Sequence, residues 1–146
     1  MKRNFVLGII AMLSIIFCSC NDTETRTQPY VIVEVTGNVR DAYGAALVNT
    51  SITGRISTAM DKSFVAATKA SGEYTLRFEI VQEKDKETKD FLLSLEAMAN
   101  LERYETETII LQVKAEDFSG YNKKDEYYRG TASFTQNFVL KINNLN

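Results

Sequence analysis

Acids are the most abundant reactive side chains in this 146-residue chain: 19 Asp and Glu, with no histidine at all. Without histidine a Ser-His-Asp triad is impossible, and so is a zinc site with a His ligand. The two cysteines, Cys18 and Cys20, both lie near the N-terminus, so the rest of the chain has no thiol nucleophile and no Cys₄ metal site. No Gly-rich phosphate loop follows a strand and opens a helix. What remains is carboxylate chemistry. Hydrolysis of a glycosidic bond needs two acids about 5–9 Å apart across a cleft. Glu105 and Glu107 have that spacing on one strand face, and Glu116-Asp117 and Asp125-Glu126 lie in a long loop. A chain this acidic offers many such pairs, and a small sandwich offers little cleft. The expectation is therefore no catalytic residue, no metal and no cofactor.

The stretch best suited to binding is Phe118–Arg129, FSGYNKKDEYYR. Tyr121, Tyr127 and Tyr128 are able to stack on sugar rings or on a protein partner, with Lys123, Lys124 and Arg129 beside them. The competing reading is that Phe118 and one or two tyrosines fold back onto the domain. Phe118, Tyr121, Tyr127, Tyr128 and Arg129 are the candidate contact residues. The lack of tryptophan counts against a carbohydrate ligand.

The elements that would carry this loop are strands. Val31, Val33, Val35 and Val39 alternate with Glu34, Thr36 and Asn38 in a strand over Tyr30–Val39. Asp41-Ala42-Tyr43-Gly44 has the residues of a tight turn. A second strand is expected over Leu47–Ile56, with a break at Asp61–Ser63, and a short third over Phe64–Thr68. Ala70-Ser71-Gly72 turns the chain into the cleanest alternation, Tyr74, Leu76, Phe78 and Ile80. Gln82–Asp90 reads as a solvated hairpin loop. Phe91–Ala97 is a fifth strand and Tyr104–Lys114 a sixth. In the sixth, either the strand starts outside the core or a bulge resets its phase near Ile109. Phe134, Phe138, Leu140 and Ile142 define the last. Glu96–Arg103 has room for one helical turn. Seven alternating strands predict an all-β, antiparallel β-sandwich of one domain, residues 30–146.

The first 29 residues differ. Lys2 and Arg3 precede an apolar run, Phe5–Phe17, that is short for a transmembrane helix of about 20 residues. The sequence Phe17-Cys18-Ser19-Cys20 resembles the lipobox of a bacterial lipoprotein signal, with Phe17 at the position where that motif usually has leucine. The resemblance implies cleavage, retention of Cys20 and its modification with two or three acyl chains, enough for stable anchoring. Residues 21–29 then read as a polar tether. Removing Lys2 and Arg3 leaves 15 basic against 19 acidic side chains, a net of −4. That balance argues against a nucleic-acid partner.

Within the domain, Gly37-Asn38-Val39-Arg40-Asp41, Gly44-Ala45-Ala46-Leu47 and Thr68, Gly72, Tyr74 and Leu76 resemble the carboxypeptidase regulatory-like domain. Phe91–Ala97, Tyr104 and Phe138–Ile142 fit its later strands, so the resemblance spans roughly residues 31–142. It implies a transthyretin-like (prealbumin-like) Greek key. Lys69 and Ser71 replace acidic residues common in that family's second turn, which weakens a calcium reading. Such domains are usually non-catalytic spacers, docking units or parts of uptake assemblies. The expectation is a lipid-anchored interaction or accessory module at the outer membrane of a Gram-negative envelope, partnered by an envelope protein or a glycan. The alternatives are a glycan-binding surface lipoprotein using loop 118–129, or a small fimbrial or adhesin-type subunit.

Overall fold

The computed structural model describes residues 27–120 and 122–143, apart from the side chains of residues 59–61. Cys20, the lipobox, most of the expected tether and Tyr121 lie outside the described residues. The described chain is an all-β sandwich of two sheets. The first holds β4 (Glu73–Val81), β1 (Tyr30–Asp41) and β7 (Tyr128–Thr135), with β8 (Phe138–Leu140) also on β1. The second runs β3 (Ala59–Ala67), β2 (Ser51–Ile56), β5 (Phe91–Met98) and β6 (Glu107–Val113). Among the described residues no helix is long and apolar enough to cross a membrane.

The alternation in the sequence fixes the two faces of each strand. Val33, Val35 and Val39 of β1 face Leu76 and Phe78 of β4 and Leu93 and Leu95 of β5 in one core. Phe64 and Phe78 stack with centroids 4.1 Å apart, closing the side of the sandwich where β3 and β4 meet. Both expected turns form. Asp41 accepts the amides of Tyr43 and Ala45 at 2.9 Å on one carboxyl oxygen, and Gly44 takes φ of 86°. Gly72 takes φ of 80°.

Several expectations need correction. There are eight strands among the described residues, not seven, and the sandwich is not wholly antiparallel: β1 pairs parallel with both β7 and β8. After β6 the chain crosses from the second sheet to the first through a 3₁₀ turn at Ala115–Asp117. It then enters beside β1 in the same direction, as a parallel pair requires of a long connection. The second strand starts at Ser51 rather than Leu47. Residues 47–49 form a turn instead, with Asn49 at φ 55° and Val48 exposed. Asp61–Ser63 breaks nothing, because the hairpin turns at Ser57-Thr58 and β3 runs through those residues. Gln82–Asp90 is solvated but is no hairpin, since it carries the chain from β4 in one sheet to β5 in the other. No bulge occurs in β6: its pairing with β5 is continuous from Glu107 to Val113, so the strand simply starts later. The last expected strand is two, β7 and β8, separated by Gln136-Asn137.

Candidate binding groove

The aromatic loop is built from the 3₁₀ turn onward. The Asp117 carboxylate accepts the Lys114 amide at 2.8 Å, and Asp90 accepts the Ala115 amide at 2.9 Å, anchoring the start. Phe118 is half-buried against the core. Ser119 and Thr131 exchange two backbone hydrogen bonds, 3.1 and 2.8 Å, which lay the chain along the edge of β7. Two turns follow, closed by Asp125 amide to Asn122 carbonyl at 3.1 Å and Tyr128 amide to Asp125 carbonyl at 3.2 Å.

Tyr30, the first residue of β1, pins this loop. Its hydroxyl donates to Asp125 Oδ2 at 2.7 Å and its amide donates to the Tyr127 carbonyl at 2.8 Å. Its ring lies 5.7 Å from that of Tyr128, tilted by 50°. The Tyr128 hydroxyl shares a 2.7 Å hydrogen bond with Thr131 Oγ1. Asp125 Oδ1 accepts the Tyr127 amide at 3.0 Å, and the charge of Glu126 raises the Tyr127 phenol above its ordinary range.

The folded loop walls an open groove of about 530 Å³ on the outer face of the first sheet. Tyr30, Ile32 and Tyr128 form its floor, and Arg77, Asn122, Lys123 and Asp125 its polar sides. Arg77 is held by Glu34 at 2.7 Å. A second hollow of about 360 Å³ lies at the far end of the same face, among Thr36, Asn38, Lys69, Thr75 and Asn137. A third, of about 440 Å³, opens under loop 82–90 beside Ile80 and Phe91. There the hydrogen bond of Lys86, and then its charge, hold the Glu83 carboxyl below its ordinary range.

Of the candidate contact residues, Tyr128 lines the groove, Tyr127 is half-buried beside it, and Arg129 is exposed on β7. Phe118 is partly buried against the core and anchors the loop. Tyr121 lies outside the described residues. Sequence reasoning missed Tyr30, Ile32 and Arg77. One signal was present: Ile32 is apolar in phase with Glu34 and Thr36 on the polar face, yet it is only 8% exposed, because something covers it.

Of the candidate carboxylates, Asp125 lines the groove without its neighbour Glu126. Glu107 accepts the Val139 amide at 3.2 Å, Glu116 pairs with Lys114 at 3.3 Å, and Asp117 and Asp125 hold backbone as described. No group of three or more potential metal ligands occurs among the described residues.

No family model matches the chain, and no curated protein matches it. Among solved structures it is similar to the dioxygenase domain of a dioxygenase carbohydrate-binding protein fusion from Streptomyces sp. SirexAA-E. That match has 17% identity over 77% of this chain and 84% of the other, with a TM-score of 0.39. It is also similar to chlorocatechol 1,2-dioxygenase from Pseudomonas putida, with 14% identity over 82% of this chain and 62% of the other, at a TM-score of 0.40. Likenesses at this level carry no functional inference.

Proposed function

We propose that the protein is a non-catalytic interaction module, anchored by acyl chains on Cys20 to the outer membrane of a Gram-negative envelope. Its domain is a carboxypeptidase regulatory-like, transthyretin-like Greek key. Four connections that pass between the sheets support that topology: β1 to β2, β3 to β4, β4 to β5 and β6 to β7. The single observation that carries the binding reading is the Tyr30–Asp125 hydrogen bond of 2.7 Å. It fixes an aromatic, polar loop over a solvent-facing groove, which lowers the ordering cost of binding. Absence of histidine and the structural employment of the acids support a role without catalysis.

Site-specific photocrosslinking in the intact envelope tests this. A photoreactive residue at Asn122, on the groove wall, should give a discrete higher-mass adduct in the membrane fraction. One at Glu87, on loop 82–90, should not. No adduct from Asn122, or equal adducts from both, contradicts the reading.

A second reading, a glycan ligand, is favoured by the partly exposed ring of Tyr128, braced by Tyr30 at 5.7 Å and flanked by Asn122 and Arg77. Aromatic faces and short polar side chains are what sugar rings engage.

A further inference from the structure

We infer that the outer face of the first sheet is one channel for an unbranched, uncharged oligosaccharide, running from Tyr128 to Asn137. The inference rests on the glycan reading above and extends it along the sheet.

Strand register places the residues in rows. Tyr30 lies between Val81 and Tyr128, and Ile32 lies between Glu79 and Thr131. Glu34 lies between Arg77 and Ser133, and Thr36 between Thr75 and Thr135. Asn38 lies opposite Glu73, and its amide donates to Asn137 Oδ1 at 3.0 Å. The two hollows of about 530 and 360 Å³ therefore sit on the same face, at opposite ends of β1. From Tyr30 to Asn38 the strand spans roughly 26 Å at about 3.3 Å per residue. That length accommodates several linked sugar rings.

The lining selects the ligand class. Between the ends the face carries hydroxyls, Thr36, Thr75, Ser133 and Thr135, that both donate and accept. Arg77 and Glu34 are closed on each other at 2.7 Å, and the carboxylates of Glu79, Glu73 and Asp125 add acceptors for ligand hydroxyls. A lipid or an apolar peptide would meet mostly polar side chains between the two ends, and a polyanion would meet the carboxylates of Glu34, Glu73, Glu79 and Asp125. A polar outer face is ordinary in a sheet. This one differs in having a hollow at each end, lined by Lys123 and the partly exposed Tyr128 at one and by Lys69 at the other.

Isothermal titration of the full-length protein in mild detergent tests the channel. The probes are cello-, manno-, xylo- and malto-oligosaccharides, from disaccharide to hexasaccharide. In at least one series the hexasaccharide should bind about tenfold or more tighter than the disaccharide, equivalent to about 1.4 kcal/mol. Tyr128→Ala should weaken every length. Asn137→Ala, and independently Thr75→Ala at an exposed position, should weaken the hexasaccharide and leave the disaccharide unchanged. If affinity is independent of length, or neither substitution affects the hexasaccharide, the channel is wrong and the glycan reading survives at the Tyr128 end. If no series binds at all, both fall.

Discussion

The hydroxyl of Tyr74 donates a 2.7 Å hydrogen bond to the carbonyl of Gln136, which lies in the gap between β7 and β8. The two strands keep one register along β1 across that gap, with Thr36 opposite Thr135 and Val39 opposite Phe138. Gln136 also donates its amide to the Thr36 carbonyl at 2.8 Å. One buried phenol thus marks where a single edge strand is pinched in two, and the Tyr74 ring packs 6.2 Å from that of Phe138 just beyond.

Replacing Tyr74 with phenylalanine should cost about 1 kcal/mol at neutral pH, the net worth of a typical hydrogen bond. Burial pushes the Tyr74 phenol up to about 12 from 10.0. Because the folded value lies above the unfolded one, the stability it contributes is complete below pH 10 and is lost as the pH rises through about 12. The wild-type advantage over Tyr74→Phe should shrink across that window and then reverse. Urea unfolding of both proteins at stepped alkaline pH reads this; a difference constant with pH contradicts it.

Gly37 faces the same pinch. A Cβ there would lie 1.8 Å from the Gln136 carbonyl oxygen. Gly37→Ala must push the backbone apart and should cost about 1–3 kcal/mol or more, as overpacking does. Thermal melts should show the loss. Unchanged stability would mean that β1 and the 136–137 gap are not in contact.

The β4 register has its own test. Leu76 and Phe78 are 2% and 5% exposed, whereas Arg77 points outward to Glu34. Leu76→Ala or Phe78→Ala should cost about 2–5 kcal/mol. Arg77→Ala should cost no more than about 1 kcal/mol, as exposed ion pairs do. The reverse order in urea unfolding would mean a one-residue slip, which exchanges the faces.

Alternation was legible wherever one face is fully buried, as in β1, β4 and β5. It failed where edges or chain crossings decide. Parallel pairing of β7 and β8 with β1 leaves no mark on period two. Residues 136–137 carry no turn signature, because the pinch is set by Tyr74 from another strand. The loop was legible as tyrosine-rich, and the fold-back of Phe118 was foreseen as the competing reading. The groove floor was not, since Tyr30 and Ile32 read as ordinary strand residues until a distant loop covers them.

Cys20 is expected to carry the acyl chains. Metabolic labelling with a fatty-acid analogue should mark the wild type and not Cys20→Ala, which should leave the membrane fraction. A variant that still labels and stays with membranes sinks the anchor assignment.

The outer face of the first sheet is the proposed ligand-binding surface. Amide chemical-shift mapping of the full-length protein, titrated with the tightest-binding hexasaccharide, tests it most directly. Shifts should cluster at Thr36, Thr75, Tyr128, Ser133 and Asn137. Shifts confined to Val65 and Ile110, on the outer face of the second sheet, would contradict the account.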